Sequence, residues 1–194
     1  MDFQTLERLM TEAKEIEPSD FLRSKRDEGP LNTYYQFFGH LAASIKEPGV
    51  FLEIGVQRGG MSHHIITMAP HHRYVGIDIE EVLGVNYPRA YVIRGDSNNL
   101  NIADEVKEIA SKHGGIFAIF QDSSHHYFPS VREWQLYSPM LRSGGVWFSD
   151  DLTPAFFRPG LEPKGMVEYF AELPGEKRYY DDLHFGSVIG AIIP

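Results

Sequence analysis

The 194-residue chain contains no cysteine. Disulfides, zinc–thiolate sites and thiol nucleophiles are therefore excluded. No apolar run is long enough to span a bilayer. The first stretch, Met1 to Glu15, is charged and lacks the apolar core of a signal peptide, so a cytoplasmic location is expected. Basic residues are in deficit: 18 Lys and Arg stand against 27 Asp and Glu, for a net charge of −9. That removes the basic face a phosphate-gripping nucleic-acid binder needs. Repeats and low-complexity tracts are also missing. What remains, 42% hydrophobic and 23% charged residues, is ordinary for a globular protein. The length fits one domain over 1–194, with an N-terminal helical segment over 1–47 and the core over 48–194.

The stretch Phe51-Leu-Glu-Ile-Gly-Val-Gln-Arg-Gly-Gly-Met-Ser62 organises the rest. An apolar run from Val50 to Ile54 ends in glycines at 55, 59 and 60, and a helical pattern follows. This is a strand, a tight turn and a helix N-terminus, where backbone N–H groups can approach a ligand. Glu53 would repel phosphate and suits a cationic or hydroxyl-bearing ligand. The loop reads as a binding loop for S-adenosylmethionine, against the plainer alternative of a βα turn that merely uses glycine. Asp78 lies 25 positions after Glu53 and ends the strand-like run Tyr74–Asp78. An acid after the second strand of a βαβ unit binds a ribose hydroxyl pair, so the two acids support each other.

Phe3, Leu6, Leu9, Ala13 and Ile16 predict a helix over about 3–16, and a charged loop covers 23–30. A second helix is expected from about Leu31 to Ile45, and another over about 60–69. His63, His64, His71 and His72 flank the latter, but neighbouring histidines on a helix face different ways, which argues against a shared metal. Tyr91–Arg94 is a third strand, followed by Gly95-Asp-Ser-Asn-Asn99. Asp96 either accepts from an adenine amino group or shapes the turn before the helix at about 101–113. Ile116–Phe120 is the most apolar strand and reads as the sheet centre. A helix opening near Pro129 ends at Arg142–Gly145, and Val146–Ser149 forms the fifth strand. A Pro- and Phe-rich loop over Thr153–Pro163 and a helix at about 164–173 precede two last strands, 177–182 and 187–193. Joined by so few residues, these must be antiparallel. The fold class is therefore α/β: a Rossmann-like, doubly wound seven-stranded sheet, mostly parallel, with a C-terminal antiparallel hairpin.

Asp122, Asp150 and Asp151 each follow a central strand, so they share the sheet's ligand rim. Three carboxylates there repel one another unless a cation joins them. Oxygen ligands without sulfur suit Mg²⁺ first, with Mn²⁺ as an alternative. The plainer alternative is that they cap neighbouring segments. His125, three residues past Asp122, is placed to take a proton, with His126 the less favoured neighbour.

These residues carry a resemblance. Glu53–Ser62, Gly76-Ile-Asp-Ile79, Gly95-Asp96, Asp122-Ser-Ser-His125 and Leu141–Asp151 resemble class I S-adenosylmethionine-dependent methyltransferases. Within that class they look like the metal-dependent O-methyltransferases of the macrocin and mycinamicin sugar type, a group that includes cephalosporin-hydroxylase-like proteins. The resemblance implies that Glu53, Gly55, Gln57, Gly59, Gly60 and Ser62 surround the methionine part of the cofactor. It implies that Asp78 binds the ribose, and that Asp96, Ser97 and Gln121 border the remainder. It implies a metal at Asp122, Asp150 and Asp151, with His125 and Asp122 catalytic. Gln57 departs from the usual second glycine, and Ser123 and Ser124 stand where relatives carry another acid. The chain is short, leaving little to shape an acceptor site.

The reaction so implied is methyl transfer to a hydroxyl of a small molecule of sugar or natural-product type. A catechol-like diol is the alternative acceptor, and a non-catalytic S-adenosylmethionine-binding module the alternative outside enzymes. A homodimer is an open expectation from Tyr34, Tyr35, Phe37 and Phe38 on one helix, which can equally pack inward.

Overall fold

The computed structural model describes residues 1–14, 33–82, 84–153, 164–184 and 187–194. In chain order these form α1 (Phe3–Lys14), α2 (Thr33–Ser44), β1 (Val50–Ile54), α3 (Gly60–Met68), β2 (Arg73–Asp78), β3 (Ala90–Arg94) and α4 (Leu100–Lys112). Then come β4 (Ile116–Gln121), α5 (Tyr127–Tyr137), β5 (Leu141–Ser149), α6 (Met166–Glu172), β6 (Glu176–His184) and β7 (Ser187–Ile193). The expected loops at 23–30 and after Thr153, and the link at Phe185–Gly186, lie outside the described residues.

The seven strands lie in the order β3-β2-β1-β4-β5-β7-β6. The pairs from β3 through β5 are parallel, and β7 runs antiparallel to both its neighbours. The strand expected at the centre, β4, is the fourth of seven. Chain order alone does not show that β7 slots between β5 and β6 instead of lying at the edge.

Side-chain alternation along the strands sends apolar residues to two cores. Val50, Leu52 and Ile54 of β1 meet Val106, Trp134 and Tyr137 from α4 and α5 on one face. Phe51 meets Phe38, Ile65 and Leu6 from α2, α3 and α1 on the other. In β4 the alternation breaks: Ile116 and Ile119 share one core, while Phe117, Ala118 and Phe120 share the other. The register with β1 and β5 shifts at the same place, because a bulge adds one residue and reverses the facing.

Two boundaries differ from the sequence reading. Helix α5 ends at Tyr137, where a 3-10 turn over Ser138–Met140 contains Pro139, which cannot extend an α-helix. Strand β5 therefore starts at Leu141, and Arg142–Gly145 belong to it. Phe37 and Phe38 are fully buried, so the inward alternative holds for those two rings. The histidines are tied up in different contacts, His63 with Tyr87 and His64 with the Gly60 carbonyl, while His71 and His72 both reach the Ile45 carbonyl just past α2, His72 also that of Ala42. Among the described residues, no helix is long and apolar enough to cross a membrane.

Candidate active site

Each strand end at the rim is held by one backbone hydrogen bond to the neighbouring strand. Gly55 N–H donates to Ile77 O at 2.9 Å, and Gly95 N–H to Asp78 O at 2.8 Å. Asp122 N–H donates to Ile54 O at 2.8 Å, and Asp150 N–H to Gln121 O at 2.9 Å. The sheet ladder thus continues one residue past β1, β3, β4 and β5, and this fixes where the rim side chains start.

A cavity of about 590 Å³ opens over the ends of β1 to β4. Gly55, Asp78, Gly95, Asp96, Ser97, Asn98, Ser123 and Glu133 give it polar walls, and Ile79, Phe128 and Pro129 an apolar slot. Ile79 and Phe128 are among the most exposed large apolar side chains, at 71% and 59%. Water-facing apolar groups around a concave site are the usual signature of a ligand surface. Of the expected cofactor residues, Gly55, Asp78, Asp96 and Ser97 line this cavity. Asp78 does a second job: Oδ2 accepts from the Val56 and Gln57 N–H groups at 2.8 and 2.9 Å. Its Oδ1 accepts from Glu80 N–H. The acid after β2 therefore holds the glycine loop in place, including Gln57 at a φ of 50°.

Gly55 is needed where it stands. Its φ is 92°, and a Cβ there would lie 1.8 Å from the Asp122 carbonyl oxygen. Gly59 caps α3, and Ser62 is buried, donating to the Gly59 carbonyl. Glu53 does not line the cavity. It faces the other side of the sheet, buried under the loop, where the Tyr74 hydroxyl donates to its Oε2. Burial pushes its carboxyl well above the usual range, the Tyr74 hydrogen bond opposes this, and the charges of Asp122 and Asp78 add to it. Gln121, also expected at the cofactor, is buried beneath the cavity, donating through Nε2 to Glu133.

Beside the cavity, Asp122, His125 and Asp151 bring one ligand atom each to within 4.8 Å of one another. His125 Nε2 stands 3.0 Å from Asp122 Oδ1 and 3.2 Å from Asp151 Oδ2. Both His125 and Asp151 adopt a φ of 55°, a conformation that costs free energy and is characteristic of functional sites. Burial raises the Asp122 carboxyl and the charges of Asp150 and Asp151 add to it, with the His125 hydrogen bond pulling against them. For His125, burial acts downward, but the Asp122 hydrogen bond and the surrounding carboxylates outweigh it, and its pKa is raised. The two carboxylate oxygens suit a hard divalent cation. Asp150, expected as a third metal acid, is fully buried next to this trio. Its Oδ1 accepts from the Asp151 N–H and from the Ser187 hydroxyl of β7. His126 sits at the N-cap of α5, so it is His125 that the fold turns toward the acids.

Three residues of the site escaped the sequence reading. Glu133 is buried on α5 and accepts from Ser97, Gln121 and Ser123. The available signal was its position, three residues after buried Ser130 and four before buried Tyr137, which places an acid on the buried stripe. Asn98 has a buried Oδ1 without a protein partner. Tyr74, the donor to Glu53, read only as a strand residue.

A doubly wound sheet closed by one antiparallel strand, with its glycine turn and the acid that ends β2 at the same rim, is the fold of class I S-adenosylmethionine-dependent methyltransferases. The family model described as Rhamnosyl O-methyltransferase/CmcI matches residues 38–153, and the chain belongs to that family. No curated protein matches the sequence. Among solved structures, the fold is similar to MycE methyltransferase from the mycinamycin biosynthetic pathway, in complex with Mg and SAH. That match has 19% identity and a TM-score of 0.59, covering 79% of this chain and 46% of that one. The chain thus spans about half the length of MycE. It is also similar to CalS11, a TDP-rhamnose 3'-O-methyltransferase of calicheamicin biosynthesis, at 16% identity and TM-score 0.59, covering 96% and 92%. An O-methyltransferase from Bacillus cereus in complex with SAH matches at 15% identity and TM-score 0.61, covering 100% and 92%.

Proposed function

We propose that the chain is an S-adenosylmethionine-dependent, Mg²⁺-dependent O-methyltransferase acting on a hydroxyl of a small molecule of sugar or natural-product type. One observation carries this reading: a cavity lined by the first glycine of the loop and by Asp78 lies beside a converging Asp–His–Asp group, with Ser123 and Ser124 of the intervening loop in its wall. Asp122 N–H bonds to Ile54 O, one residue before the loop's first glycine. Family membership and the relatives named above support the same class. S-adenosylmethionine supplies an electrophilic methyl group, and a divalent cation supplies positive charge that lowers the pKa of a hydroxyl.

Asp122 and Asp151 would hold the cation, with Asp150 the third acid beside them. The loop over Gly55–Ser62, with Glu53 beneath it, would hold the methionine part, and Asp78 the ribose. Asp96, Ser97 and Asn98 would face the base between Ile79 and Phe128, with Gln121 fixing the floor. His125, its imidazole beside Asp122, would take the hydroxyl proton. Holding both reactants over one rim accounts for much of the expected acceleration.

The test combines calorimetric binding of S-adenosylhomocysteine with transfer of labelled methyl to sugar and natural-product hydroxyls. Chelator should abolish transfer and Mg²⁺ should restore it. Asp122→Asn should cut transfer at least about 100-fold while leaving S-adenosylhomocysteine affinity within about threefold. Undiminished transfer under chelator would remove the metal from the reading, and absence of S-adenosylhomocysteine binding would remove the whole of it.

A further inference from the structure

At the end of the sheet opposite the rim, a second cavity of about 380 Å³ lies where the starts of β4 and β5 meet α1 and the link between α2 and β1. Arg8, Lys46 and Arg142 line it, against a single acid, Glu47. Arg8 is paired with Glu12 at 2.6 Å, one turn further along α1 and outside the lining. The other two cations reach carbonyl oxygens instead. Lys46 Nζ donates to Ala43 O at 3.4 Å, and Arg142 Nη1 to Pro48 O and Gly114 O at 3.0 and 3.5 Å. Acids are in excess in a chain of net charge −9, yet neither of these cations forms an ion pair among the described residues.

The backbone is bent to present Arg142. The ladder between β4 and β5 passes from the Ile116–Leu141 pair to the Ala118–Val146 pair, so the residues between Leu141 and Val146 leave the regular register. A bulge of this kind re-aims the side chains it carries. Gly49 makes room for the result: a Cβ there would lie 2.9 Å from Arg142 Nη1 and 3.0 Å from Phe117 Cδ1. The guanidinium sits 5.7 Å from the centroid of the Phe117 ring. Held by that ring and by two carbonyls, the fork is pre-organised. Its Nε and Nη2 groups donate to no protein atom among the described residues and face the task of binding uncommitted. The Thr5 and Ser143 hydroxyls line the same cavity and are likewise uncommitted.

We propose that this cavity is a second binding site, separate from the methyl-transfer site, for a phosphate group, free or carried on a small molecule. A phosphate dianion presents several acceptor oxygens in different directions. Arg142 offers it a planar pair of N–H groups, Lys46 a point charge, and Thr5 and Ser143 neutral donors. The volume falls at the lower end of the range for small-molecule sites. The methyl-transfer cavity lies over the opposite ends of β1 and β4, roughly 15–20 Å away, the length of a strand of five or six residues. The two sites can therefore be filled together.

Substitutions separate charge from geometry. Arg142→Gln removes both the charge and the fork. Arg142→Lys keeps the charge and loses the fork, so it should not restore binding. Lys46→Gln removes a charge from an exposed side chain whose one protein contact is the long bond to Ala43, and leaves the fold intact. Lys107→Gln removes the same charge from an exposed position on α4, outside the cavity, and serves as the control.

The experiment titrates the intact protein calorimetrically with inorganic phosphate and with glycerol 3-phosphate, at low ionic strength and with chelator present so that no divalent cation takes part. Wild type should bind at least one of them with a Kd below about 1 mM, and the tighter of the two says whether the group is free or carried. Arg142→Gln should weaken binding roughly tenfold or more, and Lys46→Gln roughly threefold, with Lys107→Gln unchanged. Saturating S-adenosylhomocysteine should leave phosphate affinity as it was. If Arg142→Gln does not fold, Lys46→Gln against Lys107→Gln decides. No binding of either probe, an affinity indifferent to Arg142 and Lys46 in every variant that folds, or displacement by S-adenosylhomocysteine would overturn the site while leaving the methyltransferase reading intact.

Discussion

Replacing Gly55 with alanine should disable the site through geometry alone. The residue's φ of 92° is outside the range an L side chain adopts comfortably, and its Cβ would sit 1.8 Å from the Asp122 carbonyl oxygen. To reach even a tight 3.0 Å contact, the two backbones must part by about 1.2 Å, the difference between those two distances. The Asp122 carbonyl carbon, 2.7 Å from the same point, must move with it. The left-handed conformation costs roughly 1–2 kcal/mol, and forced separation of packed backbone adds roughly 1–3 kcal/mol. A loss of about 2–5 kcal/mol lowers Tm by about 5–15 °C in a domain of this size. The functional cost is larger, because a misplacement near 1 Å reduces rate by about 100-fold. Gly115→Ala is the matched control. That glycine also has a positive φ, 79°, but its nearest neighbour is the Arg142 Cβ at 3.3 Å, at the opposite end of β4. It should lower Tm by several degrees and leave S-adenosylhomocysteine affinity unchanged. Differential scanning calorimetry and titration calorimetry on both variants separate the two effects. If Gly55→Ala keeps wild-type Tm and affinity, the coupling of the glycine loop to the Asp122 loop is refuted.

Glu53 and His72 should give pH dependences of opposite sign. Glu53 is raised in the folded state, so the fold binds more protons than the unfolded chain and stability falls as pH climbs above the ordinary 4.5. Glu53→Gln, which mimics the protonated form, should therefore raise Tm at pH 8 and lose that advantage near pH 5. His72 is fully buried beside the Ala42 and Ile45 carbonyls, with its pKa pushed down from 6.5 to about 4. Its contribution is present above 6.5 and lost as pH falls toward 4, by roughly 2–3 kcal/mol. His72→Asn should flatten that acid limb in urea titrations; an unchanged limb would assign it to other groups.

The sheet was legible because its inner strands are short, continuous apolar runs bounded by glycine and acid, and the lengths of the links fixed which pairs are parallel. The place of β7 was not, since any last strand joined to β6 by a few residues pairs with it whether it falls inside or outside. Asp122, Asp150 and Asp151 could be placed on one rim from strand ends alone. Which groups converge there depends on φ at His125 and Asp151, both 55°, and nothing in residue type announces a left-handed histidine. Asp78 shows another limit: spacing points to a ligand, but its backbone partners Val56 and Gln57 emerge only once the loop folds back. Glu133 was hidden by its chemistry, because a carboxylate on a helix reads as a solvent group unless its buried neighbours at Ser130 and Tyr137 are weighed first.

The inserted position of β7 sets an order of assembly. During synthesis β6 emerges before the strand that joins it to the sheet, so the outer flank of β5 stays open until residues 187–193 arrive. Those residues also close the rim: Leu152 N–H bonds to Val188 O, and the Ser187 hydroxyl to Asp150. Any nascent form lacking β7 would leave Asp150 without its Ser187 partner and expose an unpaired, strongly apolar strand edge, a template for association with other chains. Strand β7 therefore completes both the flank of β5 and the acidic rim, which ties formation of that rim to the pairing of β5 with β7.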